Sequence, residues 1–303
     1  MRHLPVAAAL VLLALATTPG SVAGERHVAV GPLHACVVQS SAVVACYGDT
    51  TGGKSTAPSG TGYEWHGVTV GRDFSCGLRT AGTVVCWGSL PSYIPGTVTI
   101  QPPGSTSYID ISAGERHVCM LADSGVTECK GDASSGATTV PANYRFQSIT
   151  ASGNLTCGVT RAHAVLCWGD ATNPIVSSLI TTPVFNAEHV ALGARHACYI
   201  TTAGVVGCWG NNGAGQTAVP VSLGSAPVWW LAGGGDLSCA ISSSGPPPGT
   251  LTCWGGVSAT AVVPTTAYEV ACAAWGCVAA VDVPGAAGTY GAMAWVSAAG
   301  GGR

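Results

Sequence analysis

Charge is scarce in this chain. Only 8% of its 303 residues are Asp, Glu, Lys or Arg, and Phe and Met number three each. Helices need more Glu, Lys, Leu and Arg than this, so a helical protein is excluded, whereas 43 glycines and 18 prolines suit many short strands and turns. A formal net charge of −3 with no basic run gives no general attraction to nucleic acid or an anionic membrane. There is no serine nucleophile elbow, no HExxH and no tight carboxylate pair, and the cysteines form no CxxC knuckle of the kind that holds zinc. The expectation is an all-β, non-catalytic chain with no cofactor and no metal.

Long apolar runs are also missing after the start. Met1 to His3 is weakly basic, Val6 to Ala16 is apolar but too short to span a bilayer, and Ser21-Val22-Ala23 offers an A-x-A-like cleavage site. Residues 1–23 read as an export signal and 24–303 as the mature domain. Val270 to Val281 is short and interrupted, and the tail Gly300 to Arg303 lacks the hydrophobic end of a lipid-anchor signal. A secreted protein without membrane insertion is expected.

The fourteen cysteines, an even number in an exported chain, read as disulfides. Five pairs sit ten apart: Cys36 and Cys46, Cys76 and Cys86, Cys119 and Cys129, Cys157 and Cys167, Cys198 and Cys208. A sixth, Cys239 and Cys253, is stretched by the insert Gly245 to Gly249. The remaining Cys272 and Cys277 are assigned to each other. Each local bridge is worth roughly 2 to 3 kcal/mol in the chain-entropy model.

The best-preserved stretch, Gly193 to Pro220, has hairpin grammar: a glycine after an apolar run, Cys198 and Cys208 around a turn at Gly204, then Trp209-Gly210. It recurs seven times. The first cysteines, Cys36, Cys76, Cys119, Cys157, Cys198, Cys239 and Cys277, are spaced by 40, 43, 38, 41, 41 and 38 residues. A period near forty made of strands and turns predicts propeller blades, and seven of them close a ring that leaves no open sheet edge. The seventh unit is degenerate, with Ala294-Trp295-Val296 standing where Cys-Trp-Gly stands elsewhere.

The pattern of glycine, His-x-Cys, glycine turn, Cys-Trp-Gly and, in unit five, Asn211 to Pro220 resembles the propellers related to the regulator of chromosome condensation, over nearly all of the mature chain. Gly215-Gln216-Thr217-x-Val219-Pro220 is similar to the secreted propeller-type β-lactamase inhibitors, and the paired cysteines resemble the ectodomains of crinkly-type plant receptor kinases. The resemblance implies a seven-bladed exported binding propeller. A nuclear role on a small GTPase, the task of the family's namesake, conflicts with the leader and the cysteines.

Several motifs have plainer readings. Gly48 to Ser55 matches the phosphate-loop pattern GxxxxGK[ST], but Thr56-Ala57-Pro58 follows where that chemistry needs a helix. His34, His117 and His196 share one position, two before the first cysteine, with Phe74, Leu155, Leu237 and Trp275 in the other units. A ligand position would not tolerate those substitutes, so a structural histidine bonded within its own blade is expected. Trp87, Trp168, Trp209 and Trp254 repeat with the scaffold and read as packing between blades.

The residues between the glycine and that position vary from unit to unit, as a recognition surface does. In the inhibitor family this edge contacts the target, which the resemblance implies here. The expected protein-binding face is Arg72, Asp73, Phe74, Glu115, Arg116, Arg195, Asp236 and Trp275, with the arginines and aromatics as anchors. Asn154-Leu155-Thr156 would accept a glycan in a eukaryote. The expected function is a monomeric protein binder, receptor-like or inhibitor-like, whose partner is a protein and not a nucleic acid. Two alternatives stay open: carbohydrate binding through Trp65, Trp229, Trp230 and Trp275, and a hydrolase or lyase on the same scaffold.

Overall fold

A computed structural model describes residues 15–16, 28–39, 42–60, 62–90, 96–181, 184–243, 249–256, 261–273, 276–282 and 289–297. Its regular structure is almost entirely antiparallel sheet, cut into seven blades. Blade 1 is Val28–Val30, His34–Val38 and Val44–Gly48, and blade 2 adds a fourth strand to the same plan: Trp65–Val70, Phe74–Arg79, Val84–Gly88 and Val98–Ile100. Blade 3 is Tyr108–Ala113, His117–Ala122 and Thr127–Gly131; blade 4 is Phe146–Ser152, Leu155–Thr160 and Val165–Gly169. Blade 5 is Ala187–Leu192, His196–Thr201 and Val206–Gly210, and blade 6 is Val228–Gly234, Leu237–Ser242 and Gly249–Gly255.

In blades 1 to 6 two cysteines face each other across the second and third strands, at Cα separations of 4.0 or 4.1 Å. Cys36 is bridged to Cys46 in blade 1, Cys76 to Cys86 in blade 2 and Cys119 to Cys129 in blade 3. Cys157 is bridged to Cys167 in blade 4, Cys198 to Cys208 in blade 5 and Cys239 to Cys253 in blade 6. The spacing of ten therefore gives bridges inside one hairpin, as expected, and the insert in blade 6 leaves the pairing unchanged. Cys272 and Cys277 form the seventh bridge, but it joins the first strand of blade 7 to the second.

Blades 6 and 7 share one long strand. Ala261–Ala273 pairs through Ala261 to Ala267 with Gly249–Gly255, then through Ala267 to Ala273 with Gly276–Asp282. The last strand, Thr289–Ser297, completes blade 7. There Cys277 lies opposite Val296, so the place of the missing second cysteine is held by Val296 and not by Ala294 as the pattern Ala294-Trp295-Val296 suggested. Strand register obeys the pairing across the sheet, which letter matching cannot see. Leu15–Ala16, inside the segment read as the leader, pairs with Tyr290 and Thr289; cleavage after Ala23 would remove that pairing.

Blade 1 closes against blade 7. The Val28 amide donates to the Glu269 carboxylate (3.2 Å), and Val28 and Val37 pack with Ala271. The first strands of all seven blades enclose a central cavity of about 330 Å³.

One clasp repeats along the ring. The turn between second and third strands puts Ala42, Gly82, Gly125, His163 and Gly204 at φ values of 55°, 74°, 83°, 59° and 75°. Each of these residues turns its carbonyl to the amide that opens the next blade, at Trp65, Tyr108, Phe146, Ala187 and Val228, over 2.9 to 3.1 Å. The left-handed turn is thus both the hairpin's own bend and the hook onto the next sheet. An L side chain costs about 1 kcal/mol there, and at Gly204 a Cβ would also lie 2.6 Å from Pro227.

The composition argues against helices, yet Pro174–Thr181 forms one between blades 4 and 5. Asn173 accepts the Ile175 amide (3.1 Å) and proline opens the first turn, a local start signal that composition overlooks.

Two substitutions at the clasp should move stability in opposite directions. Ala42→Gly should raise it by about 0.5 to 1 kcal/mol and Gly204→Ala should lower it by at least about 1 kcal/mol in denaturant titrations. Equal and small effects at both would refute the clasp.

Candidate functional site

The loop that joins first to second strand and the loop that leaves the third strand meet at one end of each blade. The amides of Asp49, Ser89, Asp132, Asp170, Asn211 and Gly256 donate to the carbonyls of Leu33, Asp73, Arg116, Asn154, Arg195 and Asp236, over 2.7 to 3.1 Å. Neighbouring loops are also tied to each other, by Arg72 to Glu115, Glu115 to Gly153 and Ala194 to Gly235 backbone bonds of 2.8 to 2.9 Å. The result is a ring of loops whose backbone is held and whose side chains point outward.

On this face Arg72 and Glu115 form a loose ion pair at 3.8 Å, and Arg116 binds Asp132 at 2.9 Å. Arg72 and Arg116 remain more than half exposed. Arg195 is exposed, and among the described residues no carboxylate pairs with it. Asn154 is exposed at the tip of blade 4. Asp73 and Asp236 stay solvent-accessible while bonding to the scaffold: Asp73 takes Lys54 (3.2 Å) and Asp236 takes the Gln216 amide (2.9 Å).

The cysteines belong to the scaffold beneath this face and offer it no thiol. The first cysteines of the six hairpins are buried, as is Cys277, while Cys46, Cys129, Cys167 and Cys208 are half-buried on the third strands and Cys86 and Cys253 are buried there. The sulfurs of Cys239, Cys272 and Cys277 come within 4.8 Å of one another, yet all three are held in disulfides, so the cluster has no thiolate for a metal.

Phe74 is a correction. It is wholly buried, packed with Val118 and Met120 of blade 3 and lying against Gly71, where a Cβ would strike its ring. Its position two before the first cysteine points inward in every described blade, so it offers nothing to a partner. Trp275, the other aromatic anchor, lies outside the described residues.

The histidines at that same position require a second correction, because they bond across blades. His34 Nε2 meets Ser75 Oγ at 2.6 Å, His117 meets Thr156 Oγ1 at 2.7 Å, and His196 meets Ser238 Oγ at 2.9 Å. Each hydroxyl belongs to the following blade and in turn donates to a carbonyl of the histidine's blade, Lys54 (2.8 Å), Ala137 (3.4 Å) or Gln216 (2.9 Å). A hydroxyl has one proton and it is spent on the carbonyl, so Nε2 carries the hydrogen and donates. Nδ1 of His34 and His196 has no hydrogen-bond partner, so nothing holds a second proton there and burial keeps the rings neutral at pH 7. Burial pushes all three down from an ordinary value near 6.5 to about 4, with Lys54 adding to the effect at His34 and nearby aspartates opposing it.

The signal was present in the sequence. The residue directly before the first cysteine runs Ala35, Ser75, Val118, Thr156, Ala197, Ser238, with the hydroxyls out of phase with the histidines. Seams 1–2, 3–4 and 5–6 are histidine-to-hydroxyl; seams 2–3 and 4–5 join Phe74 to Val118 and Leu155 to Ala197 in apolar clusters.

The same geometry explains the two glycine-loop motifs. Lys54, Ala137 and Gln216 each stand six residues after the closing glycine of an odd blade and present the carbonyl that receives the hydroxyl. Gln216 also accepts the Ala214 amide (2.8 Å). Lys54, the lysine of the phosphate-loop pattern, is 2% exposed and sits between Asp49 (2.9 Å) and Asp73 (3.2 Å). Hydrogen bonds from Thr51, then from Lys54, hold Asp49 below the usual carboxylate range. This buried ammonium is engaged by two partly exposed carboxylates of its own chain, which take the place an anion would need.

The tryptophans pack between blades as expected. Trp168 and Trp254 donate to the Ala137 and Gln216 carbonyls of the preceding blade (2.9 and 3.0 Å), and Trp209 to Ile175 (3.1 Å). Trp87 packs with Cys36 and Val38 of blade 1. The described stacking residues of the carbohydrate alternative, Trp65, Trp229 and Trp230, are not on an open face, and Trp275 lies outside the described residues. Trp65 is buried against Trp87, and Trp229 and Trp230 line the central cavity half-buried, with Trp230 bonded to the Val270 carbonyl at 3.0 Å.

Residues 188–216 match the family model described as the regulator of chromosome condensation (RCC1) repeat. The ectodomain of the receptor kinase CR4 from Physcomitrella patens has the same fold, with a TM-score of 0.72 at 23% identity over 91% of this chain and 74% of that one. The CRINKLY WD40 ectodomain of the Arabidopsis thaliana receptor kinase ACR4 gives 0.69 at 22% identity, over 90% and 97%. Yeast RCC1 (Prp20), solved with Kap60, gives 0.65 at 14% identity, over 82% and 78%. A putative serine/threonine-protein kinase-like protein of Arabidopsis thaliana, CCR3, is 28% identical over 131 residues, which is 43% of this chain and 16% of that protein's length. The chain is a disulfide-bonded β-propeller with one match to the RCC1 repeat, and it shares its fold with these ectodomains and with yeast RCC1. Among the described residues no helix is long and apolar enough to cross a membrane.

The histidine seams predict acid sensitivity. The folded value of about 4 lies below the unfolded value near 6.5, so the stabilisation is complete above pH 6.5 and is lost as pH falls through that value toward 4, by up to about 3 kcal/mol per histidine. Thermal midpoints measured from pH 7.5 to 4.5 should fall steeply for the native chain. A His34→Gln/His117→Gln/His196→Gln variant should start lower and run nearly flat; parallel profiles would refute the assignment.

Proposed function

We propose that this is a secreted, non-catalytic propeller that binds another protein through the loop face carrying Arg72, Glu115, Arg116 and Arg195. The observation that carries the reading is the contrast within each loop: a backbone held by bonds to its own blade and its neighbours, under side chains that change from blade to blade and stay exposed. Prior ordering of the backbone lowers the entropy cost of docking, and arginine supplies planar, multidentate contacts that suit interface anchors.

Export is supported by the leader-like residues 1–23 and by seven disulfides, the chemistry of an oxidising compartment. The fold shared with receptor-kinase ectodomains supports a binding role over a catalytic one. A glycan on exposed Asn154 would sit at the blade 4 sector of this face and leave blades 2, 3 and 5 open. Binding is read as one monomer to one partner.

The test is an Arg72→Glu/Arg116→Glu/Arg195→Glu variant compared with the native chain in capture of the protein that co-purifies with the secreted form. Affinity should fall at least about tenfold while the thermal midpoint hardly moves, since exposed pairs such as Arg116–Asp132 contribute under about 1 kcal/mol. Undiminished capture would place the interface elsewhere.

A further inference from the structure

The end of the ring opposite these loops carries a feature that the proposed function does not use. There, in blades 2 to 6, the residue ahead of the first strand lies opposite the residue that follows the second strand, joined by a backbone bond: Glu64 with Thr80, Ser107 with Asp123, Arg145 with Arg161, Asn186 with Thr202, and Pro227 with Ser243. Four of the five pairs are neutral or complementary, and Thr80 donates to the Glu64 carboxylate at 3.4 Å. Of these five, blade 4 alone sets two arginines directly across from each other, an arrangement that costs stability when like charges face one another.

Nothing within the described residues neutralises them. Arg145 reaches only the carbonyl of Tyr144 (3.3 Å), and Arg161 only the carbonyl of Asp123 (3.0 Å). Both side chains flank Gly125, where an added Cβ would lie 3.1 Å from Arg145 Cβ and 3.1 Å from Arg161 Nε. The bare turn leaves room for both. Glu188, the acid on the adjoining blade, is associated with His163 instead (3.9 Å).

The two most exposed aromatic side chains described in the chain flank this pair. Tyr144, 47% exposed, precedes Arg145, and Phe185, 63% exposed, lies two residues before Ala187, whose amide is clasped by His163 of the Arg161 hairpin. Val205, 62% exposed, continues the apolar edge on blade 5.

We propose that this rim of blades 4 and 5 is a second docking surface, built for an acidic protein segment whose carboxylates take the Arg145 and Arg161 pair while an apolar residue covers Phe185 and Tyr144. Charge complementarity selects the occupant: two guanidinium forks lacking any carboxylate of their own accept carboxylates bidentately, and aromatics beside them supply buried area at little entropy cost. The surface lies on the face opposite Arg195, so one propeller could hold two partners at once.

The probes are a synthetic peptide alternating glutamate with leucine, its glutamine counterpart, and an oligogalacturonate, each titrated against the full chain. The glutamate peptide should bind at least about tenfold more tightly than the glutamine one, and weaken as salt rises. Arg145→Glu/Arg161→Glu should abolish this preference, Phe185→Ala should weaken binding about fivefold, and Arg195→Glu should leave it unchanged. Arg145→Gln should raise the thermal midpoint by relieving the repulsion, which separates a binding defect from a folding one. A glutamate peptide that binds no better than its glutamine counterpart, a double variant that retains the preference, or tighter binding of the oligogalacturonate would each overturn the proposal.

Discussion

The structure depends on the seam between one blade and the next. A three-stranded sheet cannot bury both faces by itself, so each blade is stable only as a member of the stack. Three devices make the seam here. At one end a left-handed turn hooks the next blade's opening amide. In the middle, cysteines and tryptophans of one blade pack on the next. Toward the loop face, a position two residues before each first cysteine projects into the neighbour.

That last position alternates between polar and apolar solutions, and the alternation is physically enforced. A buried histidine is tolerated only where the next blade brings a hydroxyl that can accept from it and the same blade brings a carbonyl to take the hydroxyl's proton. Where the neighbour offers Val118 or Ala197 instead, the position must be Phe74 or Leu155. The blades therefore come in matched pairs, 1 with 2, 3 with 4 and 5 with 6. The recurring glycine loops of the odd blades belong to the same arrangement, since they place the accepting carbonyls of Lys54, Ala137 and Gln216.

Holding the ring this way separates scaffold from surface. On the loop face Asp73 and Asp236 are tied to Lys54 and Gln216 while staying solvent-accessible, beside a sparse set of arginines and Glu115. In a chain with so little charge, each uncompensated cation is informative. Among the described residues Arg195 on one face and the pair Arg145 and Arg161 on the other are the exposed cations with no carboxylate partner, whereas Lys54, Arg72 and Arg116 are each paired.

The sequence by itself determined the local facts. The period near forty, the cysteine spacing and the glycine turns specify hairpins, their disulfides and their number, because strand pairing within a hairpin depends on residues close in the chain. Every bridge from Cys36 with Cys46 to Cys239 with Cys253 was legible for that reason. It also showed which loops vary. Tertiary structure decided what passes between blades, that Phe74 faces the core and that His34, His117 and His196 reach the following blade, and it set the register that puts Val296 in place of the one cysteine missing from blade 7. It also set Arg145 against Arg161, across a hairpin and without an acid to separate them. The partners in these contacts lie in different repeats or across a register that packing sets. A repeat aligned letter by letter shows which positions correspond, but not which way a side chain turns or what it meets.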